Sequence, residues 1–476
     1  MRLRDALAPL AMTRVAVVAR TADLRSALVR VADAGVVEVD RAVSSADLPL
    51  SAASRALQRL TAAGAGRAAV AASPPDIPAL ERAGRADLLA GEVELEQITA
   101  QAVVRGDVAA IVGWTPTADL PDLATSLACV GAAAVALDRP KGIDPPTAGT
   151  SGATRRSFAP LVDTYGTIPY ADVDPTILAG IAYAVMFGAM FGDVGHGALL
   201  LALALLIRFG RWRRLARLRP HWLLVAAAAL SAIGFGFGYG ECFGPTGLVP
   251  HGLITPMDQP VGLLAVGVGM GAVLLAGSYL LGIVNRVREG GWPLALYAPA
   301  GVAGALVFLA AGAAAAAVYG RNGWIGLAAV VLAATGVTLG FVGFFVHAGG
   351  RGSGALQAVI ETFDLVIRLG ANIVSFARLA AFGLTHAVLA WIVWQGTTGL
   401  WHKGSAGVVA AVLVFLIGNA LAFGLEALVS AIQALRLEYY ELFSRVFQAE
   451  GRPFRPWHVP TANEPAQPRA EPAEIR

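Results

Sequence analysis

Charge is scarce in this chain, and lysine is scarcest. Of its 476 residues 14% are Asp, Glu, Lys or Arg, and lysine stands only at Lys141 and Lys403. The net charge of +3 rests on arginine and is too small to imply nucleic-acid binding, so the arginines are informative by their place in loops. Cysteine is almost absent. Cys129 and Cys242 fall in segments assigned to different compartments, so neither a disulfide nor a metal cluster is indicated. The opening MRLRDALAPLAMTRVAVVAR lacks the uninterrupted apolar core of a signal peptide, so the first domain is expected to stay in the cytoplasm. A Walker-type glycine loop and a nucleophile elbow are both missing, and no cofactor or covalent chemistry is expected. What remains is apolar: 56% of the residues are hydrophobic, which is the composition of a membrane protein.

The apolar residues are unevenly spread. In 1–157, TRVAVVAR at 13–20 reads as a strand, 21–34 as an amphipathic helix and GVVEVD at 35–40 as a second strand. The pattern returns as DVAAIVG at 107–113, a helix over 117–129 and GAAAVALD at 131–138. Two β-α-β units predict a small two-part α/β domain. Between them, 51–72 and 78–104 read as a helical hairpin interrupted by SPPDIP, and 139–157 is a Pro/Gly/Ser linker. This first domain is expected to dock rather than catalyse.

Residues 158–455 are expected to form a multi-pass α-helical membrane domain, with apolar segments at 175–191, 195–208, 221–243, 260–284, 294–318, 323–347, 358–396 and 406–446. The first two are short and could be a single helix. The connector 208–219 carries six arginines and should be cytoplasmic, which favours a hairpin with GDVGHG (192–197) at its outer end. Further cytoplasmic connectors carry Arg286, Arg288 and Arg351, whereas 244–258 and 397–405 have no arginine. Eight crossings return the C-terminus to the cytoplasm, where 456–476 is expected to be a disordered Pro/Glu/Ala tail. The last two segments are each about 40 residues long, or about 60 Å, so they should be strongly tilted or project beyond the bilayer.

Against this background Arg378 stands out. It sits near the middle of segment seven with no acid close by in sequence, where a guanidinium costs roughly 3 to over 10 kcal/mol and cannot lose its proton. A snorkelling arginine at a helix end is the plain alternative, but apolar residues continue for about 20 Å beyond it. On segment eight, Gln433 lies about 20° and Arg436 about 80° from Glu426 around the helix, so the three are expected on one side. Arg436 could be an interfacial anchor. Glu426, ~20 residues in from the outer end, could not. With the topology above, Asp364 lies ~21 Å to the cytoplasmic side of Arg378 and His386 ~12 Å to the outer side, while Glu426 lies ~15 Å outside Arg436. Asp193, His196 and Glu241 also fall near the outer end. Titratable groups above and below a central positive barrier suit a proton relay through two offset half-channels. The plainer readings are a glycine turn with an aspartate cap at GDVGHG and a core histidine at His386. No metal is expected, because two well-separated histidines do not make a site.

Several motifs in order carry a resemblance. YG (165–166), DVDPT (172–176), MFGAMFGDVGHG (186–197), SFARLAAFGLTHAVLAW (375–391) and IQALRLEYYELF (432–443) resemble the membrane stator subunit of rotary V-type and V/A-type ATPases. This is subunit a of the vacuolar enzymes and subunit I of the prokaryotic ones. The resemblance is dense over about 158–455 and weaker at the N-terminal strand, GWTP (113–116) and PPT (145–147). It implies that Arg378 and Arg436 are the stator arginines facing the carboxylates of a rotating proteolipid c/K ring. It also matches His386, Glu426 and Asp364 to the histidine and acids of the last two helices, and Asp193, His196 and Glu241 to the outer half-channel. The implied partners are that ring, peripheral-stalk subunits, a central-stalk or ring-cap subunit and membrane lipid; the implied location is a bacterial plasma membrane with both termini cytoplasmic. One departure is the arm: only ~65 residues separate the two α/β units, where the family usually carries a long coiled coil, which leaves stalk number open.

Two other classes compete with this one. An independent secondary transporter predicts an internal repeat with paired broken helices, and none is found in the sequence. A purely structural anchor has no reason to keep Arg378, Glu426 and Arg436 at membrane depth. Pump or synthase direction, regulation and inhibitor sensitivity are not encoded legibly. H⁺ is favoured over Na⁺ by His386 and His196, which ordinarily titrate near neutral pH.

Overall fold

In a computed structural model the chain forms two units, one holding 9–149 with the segment from 452 onward, the other 152–451. The described residues are 9–40, 51–60, 68–140, 142–149, 152–210, 215–250, 252–350, 352–447 and 450–462. Arg211, Arg213, Arg214 and Arg351 of the expected cytoplasmic connectors lie outside them, as does 463–476.

The first unit is a small α/β fold. Its elements are β1 (Met12–Arg20), α1 (Leu24–Ala34), β2 (Glu38–Val39), α2 (Ala52–Leu60), β3 (Val70–Ala71), α3 (Ile77–Arg82), α4 (Ala86–Thr99), β4 (Val103–Arg105), β5 (Val108–Pro116), α5 (Leu120–Ala128) and β6 (Ala133–Leu137). The two β-α-β units are not side by side. They interleave into one antiparallel sheet of order β2-β5-β1-β6, with β4 added on β5. This is the split β-α-β arrangement, and it lets both crossover helices cover one sheet face. Val15, Val17 and Ala19 of β1 pack there with Leu28 and Val31 of α1 and with Leu123 and Leu127 of α5.

Part of the expected tail belongs to this core. Trp457 and Val459 are buried among the same residues, their amides donate to the carbonyls of Val37 and Ala32, and β7 (Thr461–Ala462) pairs in parallel with β3. The tail reading of 456–462 is therefore corrected: two apolar side chains among the prolines were enough to dock the segment.

The second unit is helical: α6 (Ala153–Asp163), α7 (Thr176–Met190), α8 (Val194–Phe209), α9 (Trp222–Tyr239), α10 (Pro260–Tyr297), α11 (Val302–Gly320), α12 (Gly323–His347), α13 (Gly352–Ser375), α14 (Ala377–Trp401), α15 (Gly404–Leu437), a π-helical turn (Glu438–Phe443) and α16 (Ser444–Val446). Six helical stretches are long and apolar enough to cross a membrane, and α7 and α8 are shorter apolar helices. The expected segments recur with two changes. α10 runs on past 284 to Tyr297 through a kink at Gly291, and segment seven breaks at Phe376 into α13 and α14. At that break the amides of Phe376 and Leu379 bond three residues back, and the fully buried Phe376 ring lies against Gly271 of α10.

α7 and α8 run in opposite directions along α9. Gly188 and Gly192 meet Ser231 and then Phe235 and Tyr239, while Val194 and Gly197 meet Gly236 and then Ala229 and Ile233. Small residues on the facing surfaces let these backbones approach closely, as in membrane helix packing generally. Around them, Met186, Phe187, Met190 and Phe191 fill a core with Leu275, Phe376, Leu379 and Leu437.

Candidate functional site

The α7–α8 junction builds the first part of the site. Asp193 caps α8, its Oδ1 accepting the His196 N–H at 2.8 Å. The same oxygen accepts the Phe243 N–H at 3.0 Å, and Oδ2 accepts the Gly244 N–H at 3.0 Å. A carboxylate at a helix N-terminus with three amide donors is strongly held. The loop after α9 is bent to supply two of those amides: Phe243 has φ of 51° and Gly244 φ of 87°. A non-glycine residue in that region costs on the order of 1 kcal/mol, and such strain clusters at functional sites. Gly236 is required as well, because a Cβ there would sit 2.5 Å from the Val194 amide nitrogen.

α14 and α15 deliver the second part. His386 Nδ1 is hydrogen-bonded to Glu426 Oε2, and its Nε2 faces Asp193 Oδ2 at 4.0 Å. His196 Nδ1 lies 3.7 Å from Asp193 Oδ1, and the two imidazoles stand edge-on, 5.6 Å between centroids. Phe191, Phe243 and Phe423 enclose them at 5.3–5.9 Å. Asp193 and His196 are fully buried and His386 is 2% exposed. Glu241, buried at the end of α9, joins the same electrostatic neighbourhood. Among the described residues, the ion pairs of Asp193 and Glu426 are with these histidines. Proton donors and acceptors are thus in contact inside an apolar wall.

Three sequence readings change here. The aspartate cap at GDVGHG is real but incomplete, because the capping carboxylate also faces both rings. The histidines, expected to be well separated, come together, so the ground on which a metal was set aside does not hold. His386 is a buried histidine bonded to a carboxylate rather than to a backbone carbonyl.

Asp364, Arg378, Gln433 and Arg436 are not part of this cluster. Arg378 opens α14 directly after the Phe376 break and is half-buried; the charged groups acting on it are Arg436 and Glu441. Arg436 is exposed, and among the described residues neither arginine forms an ion pair. The one-sided placement of segment eight needs correction: Glu426 points inward, Gln433 is half-buried and Arg436 is uncovered, so the ~80° spread straddles the edge of the packed face. Arg436 continues an uncovered apolar stripe through Leu421 (60% exposed), Leu425, Leu428 and Ile432. Asp364 is paired with Arg368 one turn on, at 2.6 Å, and is 47% exposed.

Sequence reasoning passed over Glu438 and Glu441. LEYYELFSR reads as a helix end with anchors, yet the π-helical turn rotates both carboxylates inward, Glu438 fully buried and both of its oxygens without a partner among the described residues. π-turns are frequent at functional positions, and nothing in the residue pattern announces one. Outside the spans, Asp172 in the loop before α7 is also fully buried. Burial and the neighbouring Glu289 carboxylate push it up to about 8, against the pull of Arg286 and Arg288. Beside it the Val173 N–H donates to Asn285 Oδ1 at 3.0 Å, and Asn285 Nδ2 donates to the Val446 carbonyl at 2.8 Å.

Comparison with known proteins bears out the family resemblance. Residues 99–216 match the model of the V-type ATPase 116 kDa subunit family. The A-type ATP synthase subunit I of Archaeoglobus fulgidus is 28% identical over 404 residues, 73% of this chain and 58% of that protein. That of Halobacterium salinarum is 28% identical over 382 residues, 63% of this chain and 50% of its own. The V-type ATP synthase subunit I 2 of Treponema pallidum is 35% identical over 169 residues, 33% of this chain and 36% of its own. The chain therefore spans about half the length of these relatives.

Proposed function

We propose that this chain is the membrane stator subunit of a rotary V/A-type ATPase, without nucleotide chemistry of its own, that carries protons past a rotating proteolipid ring. The observation that carries the reading is the pair Arg378 and Arg436. Both lack an ion pair within the described chain, beside an uncovered apolar helix face. A guanidinium at membrane depth needs a counter-charge; Glu441 acts on Arg378 without pairing with it, and in this reading the pairing charge comes from another chain. The carboxylates of the ring supply it, and Arg378 keeps each carboxylate ionised as it passes and blocks leakage between the half-channels.

The buried cluster then serves as the outer half-channel. His386, Glu426, Asp193, His196 and Glu241 hand protons between the outer surface and the ring. Asp364, with Gln433 near the arginines, lies on the cytoplasmic side. In this reading α7 and α8 cross the bilayer as an opposed pair, giving eight crossings with both termini in the cytoplasm of a bacterial cell. The α/β unit contacts the peripheral stalk, and a central-stalk or ring-cap subunit completes the assembly.

The decisive experiment is ATP-driven acidification of inverted vesicles carrying the assembled complex, wild type against Arg378→Ala. Loss of acidification, at least ~100-fold, with the complex still assembled is expected. Undiminished acidification would make Arg378 structural and remove the half-channel map built around it. A second variant tests the relay: Glu426→Gln is expected to pump several-fold more slowly, and a wild-type rate across pH 6–8 would exclude that role.

A further inference from the structure

The outer cluster has the geometry of a metal site as well as of a relay. One ring nitrogen from each of His196 and His386 and one oxygen of Asp193 all lie within 4.8 Å of one another, on three buried residues. Both ring nitrogens of His196 and Nε2 of His386 have no hydrogen-bond partner among the described residues. Buried polar groups are rarely left unmet, so nitrogens converging on one carboxylate call for a bound species. The outward support is of the kind metal-binding histidines have. His386 holds its other nitrogen, Nδ1, against the Glu426 carboxylate, which fixes the ring with Nε2 aimed at Asp193. Asp193 is fixed in turn by three backbone amides. Charge also balances: Asp193 and Glu426 are two buried carboxylates whose ion pairs, among the described residues, are with imidazole alone.

We propose that Asp193, His196 and His386 bind a divalent transition-metal ion, with Zn²⁺ the best fit to two imidazoles and a carboxylate. Donors about 2.0–2.1 Å from a tetrahedral ion stand roughly 3.3 Å apart. His196 Nδ1 stands 3.7 Å from Asp193 Oδ1 and His386 Nε2 4.0 Å from Asp193 Oδ2, so the donors must draw in from spacings of up to 4.8 Å to hold an ion. Glu426 Oε1, which lacks a partner, or water completes the fourth position. An ion there occupies the nitrogens a travelling proton would use. Zn²⁺ reaching the cluster from the outer side therefore inhibits transport, a consequence that rests on the half-channel reading, whereas binding does not.

The test keeps the two apart. Zn²⁺ per chain is measured by equilibrium dialysis of the purified complex and its subunits in detergent, with the visible spectrum of Co²⁺ as a probe of ligand geometry. Wild type is expected to hold one ion per chain with a tetrahedral Co²⁺ spectrum. His196→Ala should weaken binding by more than the ~10–100-fold that loss of an outer-shell partner costs. Because that variant loses a ring from the core, His196→Gln is measured beside it, with assembly monitored for both. Equal Zn²⁺ on wild type and on both variants, or no tetrahedral spectrum, overturns the proposal. A site that binds as expected while Zn²⁺ trapped inside inverted vesicles leaves pumping unchanged sustains the metal site and counts against the half-channel reading.

Discussion

Two groups of charged residues share α14 and α15, the first also drawing on α8, and are handled in opposite ways. Around His386 the charges are compensated inside the chain: carboxylate meets imidazole, backbone amides hold Asp193, and phenylalanines exclude solvent. Arg378 and Arg436 form no ion pair among the described residues, and the helix face beside Arg436 is bare. Most buried charged groups are met within their own fold, whereas an uncovered one can wait for a partner. On the proposed reading the first group bears on stability and the second on assembly and transport. Substitutions that separate those two properties put the comparison at risk.

The largest loss of stability is expected from Glu426→Ala. Removing one member of a buried pair leaves His386 facing an unfilled, apolar space, at a cost of about 3 kcal/mol. The thermal midpoint of the detergent-purified chain, followed by loss of its monodisperse chromatographic peak, should fall by roughly 5 °C or more. An unshifted midpoint would mean that the cluster is wet and open, contrary to its enclosure by Phe191, Phe243 and Phe423.

Next comes Gly236→Val, which adds bulk where α9 touches the Asp193–Val194 backbone. Overpacking of this kind costs about 1–3 kcal/mol and displaces the loop whose amides hold Asp193. The midpoint should fall by a few degrees, and proton pumping with it. Gly234→Val on the same helix, where nothing stands within 4 Å, should do neither. Equal effects from the two would show that helix propensity rather than the close approach decides.

Smaller again is the effect of Asp172, and its sign follows from protonation. Its carboxyl titrates at about 8 in the folded chain, far above the ordinary 3.8, so the fold favours the neutral form. The penalty for ionising it is absent below about pH 4, grows as pH rises through the window and is complete above about 8. Asp172→Asn should therefore leave the midpoint unchanged at pH 4 and raise it at pH 8.5, by about 2 °C for roughly 1 kcal/mol. Part of the shift belongs jointly to Asp172 and Glu289, which lowers the expected gain. A gain that is the same at both pH values would make it a packing effect.

Much of this was legible beforehand, for identifiable reasons. Apolar runs fixed the helical segments because length and composition suffice in a bilayer, and the period-two runs gave the strands of the sheet. Their interleaving was hidden, since β1 and β5 pair across nearly a hundred residues. Position along a helix was also readable, so Asp193, His196, His386, Glu241 and Glu426 are expected at one end, and the structure brings them together. Azimuth was not: which side of α15 is packed depends on its neighbours, and the π-turn that buries Glu438 has no residue signature. Docking of Trp457 and Val459 was missed because composition averages over a segment, while burial acts on single side chains.

The smallest change in stability is expected from Arg436→Ala, and it bears hardest on the comparison. The side chain is exposed and, among the described residues, forms no ion pair, so its loss should move the midpoint by less than about 1 °C, as surface substitutions do. If a ring carboxylate supplies its counter-charge, as proposed, the same substitution should reduce ATP-driven acidification by the assembled complex at least ~10-fold. Arg436→Lys keeps the charge but not the planar fork and should restore only part of the rate. A midpoint that drops as far as for Glu426→Ala would mean that Arg436 is satisfied within this chain after all. The contrast between a self-contained acid–imidazole cluster and an arginine face completed by a partner would then be lost.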